Sequence, residues 1–531
     1  LGLIDSSVGD PSSATTPSSI GGTGEEFTSR SYFGRINYAF DSRYLFEVNM
    51  RYDGSSRFAP DNRWGLFPSF SAGWRISEER FMKGLPIDNL KLRASWGKLG
   101  NNAIGNYEWQ AVYNSAKYAF GGSLNNGLAI TSISNNLLEW ESTAITNIGI
   151  DFATLRNRLT FEAEFYNKVT DGILYRPTLP ESLNQFTSPL QNLAGVNNKG
   201  LEITLGWNDR VGDISYSVSG NFTYNKNKVT KYKGELVREW RTDANGKKVW
   251  YQNVGTVANG SSNLIVEGHE MNEYYMMNPY KGNGSYFNSD GTVNINGGPK
   301  DGMIRTEADM KWLQAMFDAG YKFYPNQAIG KDKIWYGDMI YADYNGDGIY
   351  GNDDDRDFQG VSWRPKYYFG LQASMTWKGF DLSMNWAGAA GFKIDYYKQT
   401  QNSVSVTHGY GLGYDIAYDH YFFDPENPND PRTNIYSETP RLVGYQNSGQ
   451  ASATSSWHLK NGNYIKLKNL TIGYTFPKEW MKVAFIQNAR VYLSGENLLT
   501  ITKFEGSDPE RMAGDGYMPI RQYTVGVNVT F

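Results

Sequence analysis

An all-β fold, an antiparallel sheet of the kind that crosses a membrane as a barrel, is what the sequence predicts, and three observations carry the prediction. Apolar residues recur at every second position in about thirteen separate stretches, the period of a strand with unlike faces. The connections between those stretches alternate strictly between short and long. The last eleven residues, Arg521 to Phe531, put Tyr523, Val525, Val527, Val529 and Phe531 on one face and end on the aromatic, with no polar tail.

Bulk properties narrow the classes. A length of 531 residues suits two to four soluble domains or one large barrel or propeller. No run of eighteen apolar residues exists, so no helix of the sequence crosses a membrane, whereas a barrel spreads its apolar residues over alternate positions. Aromatic residues make up 15% of the chain, with 38 Tyr and 15 Trp, which suits boundaries that are apolar on one side and wet on the other. The absence of cysteine excludes disulfides and thiolate chemistry, and a net charge of -4 provides no basic field for nucleic acid. LGLIDSSVGD is neither basic nor followed by an apolar core, so the start does not read as a secretory peptide: either one was removed or this is not the natural beginning.

Residues 1–30, rich in Ser, Thr, Gly and Pro, read as a loop. From Tyr32 the alternation begins: Tyr32, Ile36, Tyr38 and Phe40, then a tight DSR turn, then Tyr44, Phe46, Val48 and Met50. Phe70 to Ile76, Leu90 to Trp96, Ile148 to Phe152 and Leu159 to Phe165 follow in the same style. Leu201 to Trp207, Tyr216 to Tyr224, Phe369 to Trp377 and Phe380 to Trp386 continue it, and strands near 465–474 and 490–495 precede the closing one. Sustained helical periodicity is nearly absent. Short turns fall near 41–43, 153–157, 208–213 and 378–379, with moderate ones near 78–88 and 475–488. Long loops fall near 53–66, 99–141, 167–198, 225–365, 391–462 and 496–520. A meander with this order gathers every short turn at one rim and every long loop at the other, as in outer-membrane barrels with short periplasmic turns.

With Phe531 at the periplasmic rim, an odd strand count places the start of the first strand outside. Bacterial single-chain barrels have an even count, so the expectation is a C-terminal part of a larger barrel, about 13–14 strands. Residues 1–30 are then the tail of an extracellular loop and 31–531 the barrel part, with 225–365 and 391–462 as its long extracellular loops.

DYNGDGIYGNDD, Asp343 to Asp354, has the spacing of an EF-hand-type calcium loop. Asp343, Asn345 and Asp347 would supply side-chain oxygens, Ile349 a backbone carbonyl and Asp354 the twelfth position, where Asp replaces the usual Glu. The alternative is an acidic solvated turn. Neither reading is catalytic, since hard oxygen ligands around Ca²⁺ order a loop. Glu162 and Glu164 could suggest a glycosidase pair, but they share the polar face of a strand opposite Phe161, Ala163 and Phe165. The four histidines, 269, 408, 420 and 458, lie in loops without zinc-ligand spacing, and no G-x-S-x-G is present. No catalytic residue or catalytic cofactor is therefore expected. Trp109, Trp140, Trp240, Trp250, Tyr251, Trp335 and Tyr336, in the long loops, either stack on sugar rings or fill loop cores.

RYDGSSRFAPDNRWGLFPSFSAGWRISEERFM, Arg51 to Met82, strongly resembles the SusC/RagA family of TonB-dependent outer-membrane transporters. The resemblance continues through LKLRASWGKLGNN (Leu90 to Asn102), WESTAITNIGIDF (Trp140 to Phe152) and FYNKVTDGIL (Phe165 to Leu174). NLAGVNNKGLEITLGW (Asn192 to Trp207), the GD…DYNGDG segment from Gly337 and LSGENLLTITKFEGSDPE (Leu493 to Glu510) extend it over nearly the whole chain. The resemblance implies a barrel of about 22 strands with an N-terminal plug and a TonB-contacting segment, in the outer membrane of Bacteroidetes-type bacteria. It implies uptake of glycan oligomers, or in some members peptides, with a SusD-like surface lipoprotein as a hinged lid and a two-plus-two assembly. The expected partners are that lipoprotein, TonB, the plug and barrel half that this chain lacks, an oligosaccharide or peptide, and outer-membrane lipid. A soluble secreted β-rich protein that binds or hydrolyses glycans is the reading from another class.

Overall fold

The computed structural model describes residues 24–531 except 112, 178–181, 183–185, 397–413, 443–449, 451–452, 482–485 and 512–517. Most of the predicted N-terminal loop lies outside the described residues, and the first strand already begins at Ser29. Thirteen strands form one sheet in chain order: β1 Ser29–Phe40, β2 Tyr44–Ser55, β3 Trp64–Arg75, β4 Ile87–Asn101, β5 Glu141–Thr154, β6 Leu159–Tyr175 and β7 Gln191–Val211. It continues with β8 Ile214–Lys231, β9 Tyr367–Trp377, β10 Phe380–Ala390, β11 Tyr464–Thr475, β12 Asn488–Thr502 and β13 Gln522–Thr530. Each of the thirteen predicted alternating stretches is one of these strands. Several run further on the long-loop side than the alternation reaches: β7 spans 21 residues, where the sequence pattern marks only 201–207.

The chain divides into two compact units, Leu1–Arg156 with Glu162–Leu201 and Val229–Lys233, and Asn157–Phe161 with Glu202–Lys228 and Gly234–Phe531. Within the first, antiparallel pairing aligns Tyr38, Phe46, Ala72, Ala94 and Ile148 in one row. The adjacent row, on the opposite face, is Asn37, Glu47, Ser71, Ser95 and Asn147. Within the second, one row reads Tyr216, Met375, Leu382, Ile472, Leu493 and Val525. Its neighbour reads Ser217, Ser374, Ser383, Thr471, Ser494 and Thr524. Alternating side chains along every strand and opposite partners across every ladder thus sort the residues into an apolar face and a polar one. The apolar face is uncovered: Val525 is 79% exposed, Leu493 51% and Ile472 48%.

Aromatic rings border that face at two levels. At the short-turn level of the first unit, Phe40 stacks on Tyr44 and Tyr44 on Trp74, with centroids 6.3 and 6.5 Å apart. In the second unit Trp377 stacks on Phe380 at 6.3 Å, and the Phe380 and Tyr474 rings meet tilted at 4.6 Å. At the long-loop level stand Tyr32, Tyr52 and Trp64 in one unit and Phe222, Tyr224 and Tyr367 in the other. From Tyr32 to Phe40 the strand advances roughly 26 Å, about 20 Å along a normal at the usual tilt, which matches the height of a lipid-facing band.

The short connections are tight because residues at positive φ reverse the chain. Lys378 and Gly379, at 45° and 89°, join β9 to β10 in two residues, and Asp41 and Ser42, at 52° and 53°, begin the turn after β1. Sustained helix is nearly absent, as expected, with one 12-residue exception among the described residues. α1, Glu307–Asp318, sits in the longest loop, started by Thr306, whose hydroxyl accepts the Asp309 N–H while the Asp309 carboxylate accepts that of Thr306. Trp312, Leu313 and Met316 then give it one apolar stripe.

The two faces respond differently to charge. Leu493→Arg on the apolar face is expected to cost about 2–4 kcal/mol if it lies near mid-bilayer, and to reduce the heat-modifiable, folded band on gels. Ser494→Arg, one residue on and facing the other way, should leave that band at wild-type intensity.

Candidate functional site

The connection between β8 and β9, residues 232–366, is a folded body. Trp312, Leu313 and Met316 of α1 pack with Tyr280, Ile304, Phe323, Ile334, Ile340 and Tyr350 into a core from which water is excluded. The Trp312 indole N–H donates to the Asn294 carbonyl at 2.8 Å, so the largest buried ring keeps its polar atom paired. A second core joins this body to the connection between β10 and β11: Met303, Tyr336, Met339 and Tyr341 surround Tyr421. The Tyr421 hydroxyl donates to the Arg305 carbonyl at 2.6 Å, and the Arg305 guanidinium donates to the carbonyls of Ile435 and Ser437 at 2.8 and 2.7 Å. Asp338, only 2% exposed, receives both arms of Arg441 at 2.9 and 2.8 Å.

The predicted calcium loop lies in this body. Asp343, Asn345 and Asp347 come together: one Asp343 oxygen accepts the N–H of Gly346 at 2.7 Å and the other that of Gly348 at 2.9 Å. Asn345 accepts the N–H of Asp347 at 3.0 Å, and Asp347 that of Ile349 at 2.8 Å. The twelfth position departs from the pattern. Asp354 accepts a hydrogen bond from the Gln252 amide, whereas Asp355 closes the loop by accepting the N–H groups of Tyr344, Gly351 and Asn352 at 2.7, 2.8 and 3.1 Å. Burial pushes the Asp343 carboxyl up, and pushes Asp355 up to about 7, against the opposing effect of the N–H donors. Among the described residues no three His, Cys, Asp or Glu side chains stand close enough to hold a metal ion. The first half of the loop makes the predicted turn, with the Asp343, Asn345 and Asp347 oxygens accepting backbone N–H groups, and the twelfth residue, Asp354, is turned to Gln252 instead. Spacing could not separate Asp354 from Asp355, because three aspartates follow in a row.

The aromatic candidates fall into separate places. Trp109 and Trp140 pack against Phe58, Ile104 and Leu138, and the Trp140 N–H donates to the Arg63 carbonyl at 3.0 Å. Trp335 lies at the edge of the second core beside the buried Tyr336. Trp240, Trp250 and Tyr251 share the hairpin of Arg238–Thr242 with Lys248–Gln252, where Trp240 and Trp250 pair across the strands at 5.7 Å. The Trp240 N–H donates to the Asn345 carbonyl at 2.9 Å, so the hairpin is clasped to the aspartate loop at both Asn345 and Asp354. Trp240 and Tyr251 stay 41% and 37% exposed, and Arg241 lies 3.5 Å over the Tyr251 ring.

Glu164 is paired with Arg93, which also donates to Asp151 at 2.9 Å, while Glu162 is exposed. Of the histidines, His269 stands 3.1 Å from Glu273, His420 contacts the Ile416 carbonyl at 2.9 Å and His458 is buried; His408 lies outside the described residues. Residues that no motif marked include Asp338, Arg441, Lys466 and Asp508. Lys466 is 1% exposed, with both Asp508 oxygens at 2.6 Å and a Glu510 oxygen at 3.0 Å, which straps the last long loop to β11.

Arg441→Ala leaves the Asp338 carboxylate buried without its counter-ion. A loss of about 3–5 kcal/mol is expected in the packing of the two long loops on each other. Limited proteolysis should then cut both 232–366 and 391–463 at least tenfold faster, with the folded barrel band unchanged.

Residues 4–256 match the family described as TonB dependent receptor-like, beta-barrel. The TonB-dependent receptor SusC of Bacteroides thetaiotaomicron is 28% identical over 512 residues, covering 94% of this chain and 43% of that protein. TonB-dependent receptor P3 of Formosa agariphila is 27% identical over 521 residues, covering 94% and 45%. The chain thus spans about half the length of the curated relatives it matches. The solved RagAB peptide importer in its closed-closed state shares the fold at TM-score 0.69 and 22% identity, over 96% of this chain and 48% of that one. In each unit, uncovered apolar rows between two aromatic levels suit strands that cross a bacterial outer membrane, and the likenesses agree: residues 4–256 match a TonB-dependent receptor β-barrel, and over nearly its whole length the chain is similar to TonB-dependent receptors of the SusC/RagA type.

Proposed function

We propose that this chain serves the TonB-dependent import of oligosaccharides across the outer membrane, together with a SusD-like lipoprotein lid. The observation that carries the reading is the 28% identity with SusC over 94% of the chain. Import of this kind makes and breaks no covalent bond in the ligand. The core that 232–366 shares with the described residues of 391–463 would give the lid and the ligand a firm surface at the long-loop rim. TonB would act through a plug, and two transporters with two lids would form the working assembly.

Of the seven aromatic candidates, Trp240 and Tyr251 keep the most ring area open on the hairpin, on opposite faces of it, with Arg241 already over one side of the Tyr251 ring. The other five support loop packing or the hairpin itself. Import of oligopeptides is the second reading, favoured by the fold shared with the RagAB peptide importer.

Mass spectrometry of the ligand released from the intact complex decides between the two. Masses spaced by monosaccharide residues are the expected result; peptide masses would replace the sugar reading with the second one. Trp240→Ala with Tyr251→Ala should weaken binding of the identified ligand about fivefold or more, consistent with the loss of stacked rings.

For the aspartate loop, the proposed structural ion is Ca²⁺ on Asp343, Asn345, Asp347 and the Ile349 carbonyl, with no catalytic part. Calcium should slow proteolysis within 232–366, and Asp343→Ala with Asp347→Ala should remove that protection. Equal cleavage of the native protein in calcium and in chelator would reject the ion and leave Asp355 as the sole closure of the loop.

A further inference from the structure

The apolar column of β8 reads Ile214, Tyr216, Val218, Gly220, Phe222 and Tyr224, and it continues on the same face into Lys226 and Lys228. Tyr224 and Phe222 belong to the long-loop aromatic belt with Tyr367. At about 3.3 Å per residue and a tilt of roughly 40°, Lys226 and Lys228 stand about 5 and 10 Å beyond Tyr224 along the normal. One headgroup layer is about 5–8 Å deep, so the Lys226 backbone lies within it and that of Lys228 just outside, from where its long side chain can reach back.

The first unit repeats the arrangement. On β1 the column Tyr32, Gly34, Ile36, Tyr38 and Phe40 is preceded on the same face by Arg30, whose guanidinium lies 5.0 Å from the Tyr32 ring centroid. On β7 Lys199 precedes Leu201 in the column that bears it. Arg30, Lys199, Lys226 and Lys228 are all exposed. None forms an ion pair among the described residues, and neither the β1 nor the β8 column holds an aspartate or glutamate. On the polar face, by contrast, Arg93, Lys466 and Arg490 each have a carboxylate partner, although Lys168 has no ion pair among the described residues.

A cation held at headgroup level beside an apolar band extends its charged end into the polar layer and attracts anionic groups there. We propose that the long-loop rim binds the phosphate groups of outer-leaflet lipid through Lys226 and Lys228 in one unit and Arg30 and Lys199 in the other. The occupant is a phosphate-bearing lipid headgroup, chosen because the charge is continuous with the lipid-facing apolar column rather than with the polar face. The inference rests on the outer-membrane barrel and not on which ligand is imported.

The test uses the full-length protein in nanodiscs of phosphatidylcholine doped with phosphatidylglycerol as the anionic probe. Native mass spectrometry reads how many probe lipids each protein retains, and heat-modifiable migration checks separately that the barrel is folded. Wild type should enrich the probe over its bulk fraction, less so at high salt. Lys199→Gln with Lys226→Gln and Lys228→Gln should lower the affinity about fivefold per lysine. The same three positions changed to arginine should retain it, and Lys378→Gln at the short-turn rim should have no effect. Enrichment unchanged in the glutamine triple overturns the proposal, as does equal competition by inorganic phosphate, which would point to a free-anion site. If the triple variant fails to assemble, the three single variants are read in the same way, and three unchanged singles overturn it equally.

Discussion

In hydrocarbon a backbone N–H finds no water, so every peptide group inside the bilayer must pair with another strand. That requirement fixes strand neighbours, and the period-two alternation then decides which side chains meet lipid. The rows from Tyr216 to Val525 and from Ser217 to Thr524 are the direct result: neighbouring positions on six strands, opposite faces, opposite chemistry. Larger groups on the polar face are accommodated by leaving space opposite them. Gly473 lies where an added Cβ would come within 2.5 Å of both Arg490 and Asp381, so the glycine makes room for that ion pair between β10 and β12. Gly526 makes the same room for the Tyr492 ring.

The strands were legible because their signal is periodic and repeated, and a one-residue slip would turn every apolar side chain to the wrong face. Strand ends were less legible. Beyond the lipid band the alternation fades while pairing continues, which is why β7 reaches back to Gln191 although its apolar pattern starts at Leu201. The folded interior of the long loops was hidden for another reason. Tyr280, Ile304, Phe323 and Tyr350 reach one core from turns and irregular backbone, without a shared period; α1 alone carries a local signal, in Thr306, Asp309 and the stripe that follows, and it went unread among the alternating stretches. The aspartate loop was half legible: the turn made by Asp343 to Gly348 follows from spacing, whereas the exchange of Asp354 for Asp355 depends on Gln252, about a hundred residues away, and on burial.

Folded loops change what the long-loop rim can do. A flexible loop must be ordered when it binds, which subtracts from affinity; a loop with its own core meets a ligand or a lid already in shape. The contacts that provide this order are polar as often as apolar. Asp338 with Arg441 joins two loops that are far apart in sequence, and Lys466 with Asp508 holds a third against β11. Buried pairs like these add little net stability, because desolvation offsets most of the attraction. Their value here lies in geometry: a buried carboxylate accepts only a partner that arrives with the right donors, so the two loops have one way to pack.

The same backbone requirement applies to the two strands that have only one neighbour among the thirteen. β1 and β13 each pair on one side, with β2 and β12, and all twelve residues of β1 are exposed. In water such edges invite unwanted pairing; in a bilayer they would leave N–H and carbonyl groups without partners over about ten residues each, at several kcal/mol per group. Neither edge has the devices that protect an exposed strand, since the lipid-level columns from Tyr32 to Phe40 and from Tyr523 to Val529 contain no charge and no proline. These strands are therefore built to be paired on both sides. The uncharged, regular columns at both edges are the surfaces on which neighbouring strands would add.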